Sequence, residues 1–110
     1  MNLRKYQEAV VRGNFVADDD EILFEQSPRF IHSVLGLCAE AGEVANLLKR
    51  AMQPGSEPLN TKKVLDELGD TLWFLTSAAG LLGYGIEELA SLNYQKLNER
   101  HPSHYPDVVE

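Results

Sequence analysis

The chain has little of what marks secreted, membrane or nucleic-acid-binding proteins. It has one cysteine among 110 residues, Cys38, so no intrachain disulfide can form and a disulfide-stapled secreted fold is excluded. Its most apolar stretch, 72–86, is interrupted by Thr76, Ser77 and three glycines, and it is too short to cross a bilayer. The first residues have no apolar signal-peptide core. We therefore expect a cytoplasmic protein without a membrane anchor.

Basic residues are also few. Ten Lys and Arg stand against 17 Asp and Glu, which gives a formal net charge of −7. This balance argues against general affinity for duplex nucleic acid, which requires a basic face to neutralise phosphates. It does not exclude a phosphorylated small molecule, because a bound divalent cation can invert the local charge.

The length and composition predict one globular domain over residues 1–110, with a tail from about 101 to 110. Hydrophobic residues make up 44% and charged residues 25% of the chain. A domain this short buries only a modest core, so oligomerisation would help to stabilise it. The acidic run Asp18–Glu21 is expected to be solvated surface.

No segment alternates like a strand, so we predict an all-α, four-helix-bundle-like fold. Start and stop signals divide the chain: Ser27 before Pro28 and Asn60 before Thr61 are N-caps, and glycines or prolines follow each helix. The predicted helices are about Asn2 to Arg12, Pro28 to about Met52, Thr61 to about Leu82, and Ile86 to about Arg100.

Two carboxylate pairs lie on the apolar faces of the two central helices. Glu40 and Glu43 are spaced i,i+3, as are Glu67 and Asp70, so each pair lies on one side of its helix. Uncompensated buried carboxylates are costly, and a divalent metal is an economical partner for four of them. The apolar residues that define these faces are, on the second helix, Val34, Leu37, Cys38, Ala41, Val44, Ala45, Leu48 and Ala51, and on the third, Val64, Leu65, Leu68, Leu72, Leu75, Ala79 and Leu82, widened by Phe74, Ala78 and Leu81.

The type of ligand atom indicates which metal would bind. Four carboxylate donors suit Mg²⁺, with Mn²⁺ as a substitute. Zinc would require His or Cys, and we interpret Cys38 as a small core residue and His32 as structural or surface. The alternative is that the acids are ordinary surface carboxylates, with Lys63, four residues before Glu67, as a surface lysine.

Three segments of the chain together carry a resemblance to a known family. Gly36-Leu37-Cys38-Ala39-Glu40-Ala41-Gly42-Glu43-Val44 is similar to the G-L-x-x-E-x-G-E-V signature of the MazG-type nucleotide pyrophosphohydrolases. Glu67-Leu68-Gly69-Asp70-Thr71-Leu72-Trp73 resembles its E-L-G-D-x-L-W segment, and Asn93-Tyr94-Gln95-Lys96-Leu97-Asn98-Glu99-Arg100 its N-x-x-K-L-x-x-R helix. Their order and spacing match, over about residues 6–100.

The resemblance implies an all-α fold that dimerises, sometimes into tetramers, and cleavage of an NTP or dNTP between its α and β phosphates. It implies that Glu40, Glu43, Glu67 and Asp70 hold Mg²⁺ and carry out catalysis. Asn93 and Lys96 would contact the nucleotide or its phosphates, and they share a helical stripe with Ile86 and Leu89 that we expect to face the interior. Two further residues are considered for substrate binding: Lys49 for phosphate, and Trp73 for stacking on a base or packing in the core or at a dimer interface.

The expected role is house-cleaning or regulation of nucleotide pools. Two alternatives remain open at this point. One is a phosphoribosyl-ATP pyrophosphohydrolase-like enzyme, seen in a related helical family. The other is a non-catalytic helical module that dimerises or binds a nucleotide.

The resemblance also indicates where part of the base pocket would lie. Related enzymes build it from the loop before the second helix, which here covers residues 13–27 and includes Phe15 and Phe24, with Phe30 just after it.

Overall fold

The computed structural model describes residues 1–13 and 27–108. Within them it contains four α-helices and no strand, as predicted: α1 (Leu3–Arg12), α2 (Pro28–Ala51), α3 (Thr61–Leu81) and α4 (Ile86–Arg100). No helix among the described residues is long and apolar enough to span a membrane. The acidic run 18–21, Phe15 and Phe24 lie outside the described residues.

The helix ends are where local chemistry places them. The Ser27 hydroxyl accepts a hydrogen bond from the Phe30 backbone N–H, and the Asn60 side chain accepts one from Lys63. Both predicted N-caps are therefore confirmed. At the end of α3, Gly83 takes a φ of +87°, which only glycine adopts without strain, and the chain turns towards α4.

The two long helices α2 and α3 form an antiparallel pair, which is the main packing unit of the fold. α1 packs against α3 and α4, and α3 also touches the start of α4. Gln7 on α1 accepts a hydrogen bond from the Ile86 backbone N–H at 3.2 Å, which joins the middle of α1 to the start of α4. The fully buried Val10 fills the centre of the α1 interface.

The apolar faces expected from periodicity are only half covered. Leu37, Val44 and Ala51 on α2 are at least half-buried, but the other members of the predicted arc are exposed: Val34, Cys38, Ala41, Ala45 and Leu48. The interpretation of Cys38 as a core residue is therefore wrong. On α3, Leu65, Leu68 and Leu82 are likewise exposed. Periodicity identifies apolar faces, but it does not tell which of them a single chain covers.

The chain is less compact than is usual for a domain of its length. Its radius of gyration is 17.2 Å, whereas a compact domain of this size would have about 13 Å. Its extents are 51 × 44 × 27 Å. A single chain with this much uncovered apolar surface is typical of a subunit that packs against another protein surface.

Candidate metal and nucleotide site

Three of the four predicted carboxylates meet between α2 and α3. One oxygen from each of Glu40, Glu67 and Asp70 lies within 4.8 Å of the other two. We call this group the carboxylate cluster. Glu40 and Glu67 are half-buried between the helices, and Asp70 is exposed at the edge. Glu43 is exposed one helical turn beyond Glu40 and is not within this group.

Helix geometry explains why these residues converge. Glu40 lies on the side of α2 that contacts α3, and the antiparallel packing brings it opposite Glu67 and Asp70. Glu67 and Asp70 are spaced i,i+3, so both reach the same site from consecutive turns. The Thr71 hydroxyl, in the next turn, donates a hydrogen bond to the Glu67 carbonyl oxygen at 2.8 Å and remains within α3.

The ionisation of Glu67 is affected by the carboxylates around it. A hydrogen bond to Glu40 raises the pKa of Glu67 above its ordinary value of 4.5, and burial and the negative charges of Glu40 and Asp66 raise it further. The raised pKa of Glu67 reflects the cost of placing a second negative charge beside Glu40. Among the described residues, the two ion pairs are Arg4–Glu8 and Lys62–Asp66, and neither includes a cluster carboxylate.

This donor set fits a hard divalent cation. Three carboxylate oxygens from two helices converge within ligand-to-ligand distance, and Mg²⁺ and Mn²⁺ bind through carboxylate oxygens. A bound cation would offset the repulsion among these carboxylates. His32 is exposed, with its ring edge-on to Phe74 at 5.7 Å, in agreement with its predicted surface or structural role.

Tyr6 is a neighbour of the site that sequence reasoning missed. Burial raises the pKa of the Tyr6 hydroxyl, and the negative charge of Asp70 raises it further. This places the middle of α1 within electrostatic range of the cluster. No motif spacing could have indicated this contact, because it depends on how α1 docks on α3.

The other predicted substrate residues are not part of the carboxylate cluster. Trp73 is half-buried, with its ring edge-on to Phe74 at 5.0 Å. Asn93 and Lys96 are exposed on α4, so the prediction that they face the interior is wrong: their stripe is buried at Ile86 and becomes exposed towards its end. Among the described residues, no hydrogen bond or ion pair joins them to the cluster.

Lys49 has a different orientation. It follows Glu40 by nine residues, and nine steps of about 100° place it on the opposite side of α2. It is exposed there, next to the uncovered apolar face. Lys49 therefore does not share the side of α2 that carries Glu40.

Comparison with known proteins agrees with this geometry. The sequence profile of the MazG nucleotide pyrophosphohydrolase domain matches residues 30–105, which include most of α2, all of α3 and α4, and the three cluster carboxylates. The chain belongs to the MazG nucleotide pyrophosphohydrolase domain family. It is also similar to the Gene 37 protein of Mycobacterium phage L5, with 30% identity over 69 residues. That match covers 60% of this chain and 60% of the phage protein. No solved structure matches the chain.

Proposed function

We propose that the protein hydrolyses nucleoside triphosphates between the α and β phosphates, giving a nucleoside monophosphate and pyrophosphate. The observation that carries the proposal is the convergence of Glu40, Glu67 and Asp70 within 4.8 Å, in a chain that belongs to the MazG domain family. Of the alternatives, phosphoribosyl-ATP hydrolysis has no observation in its favour. A non-catalytic module leaves the clustered carboxylates without a role.

The carboxylates have two tasks in this proposal. Glu40, Glu67 and Asp70 would hold Mg²⁺, and Glu43 would join them from the next turn of α2. When bound, Mg²⁺ polarises phosphoryl oxygens and lowers the pKa of a water. One of the four carboxylates takes the proton from the attacking water, as a general base within hydrogen-bond distance of it.

In this proposal the nucleotide is bound by Trp73, Asn93 and Lys96, which lie outside the cluster. Trp73 borders the α1–α3 interface, where an aromatic face suits a nucleobase. Asn93 and Lys96, exposed on α4, supply an amide and a positive charge for the sugar or the phosphates. With a net charge of −7, the protein depends on the metal and on such local cations to attract an anionic substrate.

A second copy of the chain covers the outer face of α2 in this proposal. Its exposed apolar residues follow the 3,4 spacing of a coiled-coil seam: Ile31, Val34, Cys38, Ala41, Ala45, Leu48 and Met52. Such spacing is typical of a helix that packs against another helix along its whole length. Small residues at the centre, Cys38, Ala41 and Ala45, allow close approach. We call this surface the α2 seam.

The assembly has a direct test. Wild-type protein is expected to have twice the chain mass of 12.3 kDa, or four times if Leu65 and Leu68 on α3 form a second interface. Ala45→Glu places a charge in the α2 seam and should give monomers in sedimentation or light-scattering measurements. Ala39→Glu adds the same charge to an exposed position of α2 outside the seam and should leave the assembly intact. A monomeric wild-type protein would contradict the proposed dimer.

The activity is tested with a panel of ribo- and deoxyribonucleoside triphosphates. Pyrophosphate release is measured with Mg²⁺ and again with EDTA, and phosphoribosyl-ATP is included in the panel. We expect release in Mg²⁺ only, with the ranking of the bases giving the substrate preference. Folded protein that releases pyrophosphate from no triphosphate would contradict the proposal.

A further inference from the structure

Two serines form a buried hydrogen bond between α2 and α3. The hydroxyl oxygens of Ser33 and Ser77 are 2.7 Å apart, and the two residues are 0% and 4% exposed. Two hydroxyls buried at a helix interface must find partners, because a buried polar group without one is costly. This serine pair joins residues 44 positions apart in the chain.

The serine pair stands in a fixed relation to the carboxylate cluster. Glu40 follows Ser33 by seven residues, and Asp70 precedes Ser77 by seven. Seven residues are about two turns of helix. Because the helices are antiparallel, two turns from the serine pair along either helix lead to the cluster.

A packing contact lies halfway between them. A Cβ built on Gly36 would overlap the Phe74 ring, so α2 and α3 approach each other closely at this point. Gly36 is three residues after Ser33, and Phe74 is three before Ser77. Along the α2–α3 helix pair, the serine hydrogen bond is thus followed by the close contact of Gly36 with Phe74 and then by the carboxylate cluster.

Of these contacts, the hydrogen bond is the directional one. An apolar contact tolerates sliding of one helix along the other, whereas a hydrogen bond restricts donor and acceptor to a narrow range of distance and angle. A shift of α2 along α3 would separate Glu40 from Glu67 and Asp70. The position of the two helices along each other therefore decides whether three carboxylates converge.

We propose that Ser33 and Ser77 are positioning residues for the metal site: their hydrogen bond fixes α2 against α3 so that Glu40 meets Glu67 and Asp70. This inference rests on the proposed function, since it assigns the serine pair a role towards the metal that the cluster holds. Neither serine touches the metal or the nucleotide. Their effect is transmitted through two turns of each helix.

The test compares Ser33→Ala, Ser77→Ala and the double variant, with two readouts: the unfolding equilibrium in urea and Mn²⁺ affinity by electron paramagnetic resonance. Each single variant removes the Ser33–Ser77 hydrogen bond and should raise the unfolding constant about tenfold. The double variant removes both hydroxyls and should be closer to the wild type than the product of the two single effects. Its Mn²⁺ affinity should nevertheless fall about 10-fold or more, as when partners that orient metal ligands are removed.

Thr76→Val is the matched control. Thr76 is 1% exposed and adjacent to Ser77, but its hydroxyl donates to the Leu72 carbonyl oxygen within α3. Its removal should lower stability and leave Mn²⁺ affinity within about twofold. A purely structural role predicts that affinity follows stability across all the variants. A positioning role predicts a stable double variant that binds Mn²⁺ weakly.

The outcomes separate the two proposals. Wild-type Mn²⁺ affinity in the double variant, or an affinity loss in Thr76→Val equal to that in the double variant, overturns the positioning role and leaves the proposed function standing. A wild-type protein that binds no Mn²⁺ and releases no pyrophosphate overturns both. Wild-type binding with selective loss in the double variant supports both.

Discussion

Gly36→Ala is expected to destabilise the protein, although alanine is the better helix former. In a helix interior the exchange gains about 1 kcal/mol from propensity. At this position the new Cβ would overlap Cδ1 and Cε1 of the Phe74 ring and lie 2.6 Å from its Cζ. Overpacking of a closely packed interface costs about 1–3 kcal/mol. Three ring carbons are affected, so we take the upper end of this range and expect a net loss of about 2 kcal/mol.

The effect is measured by thermal and urea unfolding followed by circular dichroism. A loss of this size lowers the melting temperature by about 8 °C or more in a domain of about 100 residues. The control is Gly69→Ala on α3, where a Cβ meets no atom within 4 Å and the propensity gain should appear as a small increase in stability. If Gly36→Ala is as stable as Gly69→Ala, the close approach of α2 to Phe74 is refuted.

Two further predictions concern the cluster itself. Glu40→Gln should lower turnover by about 100-fold or more and weaken Mn²⁺ binding, while circular dichroism shows that the fold is retained. Glu43→Gln should weaken Mn²⁺ binding less, because Glu43 lies outside the three-carboxylate group. Equal losses in the two variants would show that the four carboxylates bind as one set. The raised pKa of Glu67 means that the native state binds more protons than the unfolded chain between the ordinary pKa of 4.5 and the raised value. Metal-free protein should therefore gain stability as the pH falls through this window, while Mn²⁺ affinity falls as protons compete. Glu67→Gln should abolish the pH-dependent gain, and melting curves in EDTA between pH 4 and 8 check it.

The helices and their ends were predictable because their signals are local. Ser27, Asn60 and the glycines after α3 act within one turn of chain, and each predicted boundary agrees with the structure to within about two residues. The convergence of Glu40 with Glu67 and Asp70 was predictable in part, since i,i+3 spacing fixes the side of a helix. That side was correctly inferred to be shared with apolar residues.

The misassigned residues have a common physical cause. Cys38 and Lys96 both occur on stripes that look interior, yet both are exposed. A periodic apolar pattern indicates that one face of a helix is suited to burial. The pattern does not indicate whether the same chain covers that face. The Ser33–Ser77 hydrogen bond and the contact of Gly36 with Phe74 depend on the relative position of two helices, which single-helix patterns do not contain. A glycine within a helix is only a weak local sign of close approach: Gly36 faces the Phe74 ring, whereas Gly42 on the same helix has no atom within 4 Å of an added Cβ.

The most direct test of the central claim is the product pattern of hydrolysis in ¹⁸O-labelled water, followed by ³¹P NMR with Mg²⁺ present. The account predicts equal amounts of nucleoside monophosphate and pyrophosphate from wild-type protein, and neither product from Glu40→Gln at matched concentration. Release of inorganic phosphate and nucleoside diphosphate would place the cleavage at the wrong bond. Undiminished pyrophosphate release from Glu40→Gln would contradict the assignment of the carboxylate cluster as the reaction centre.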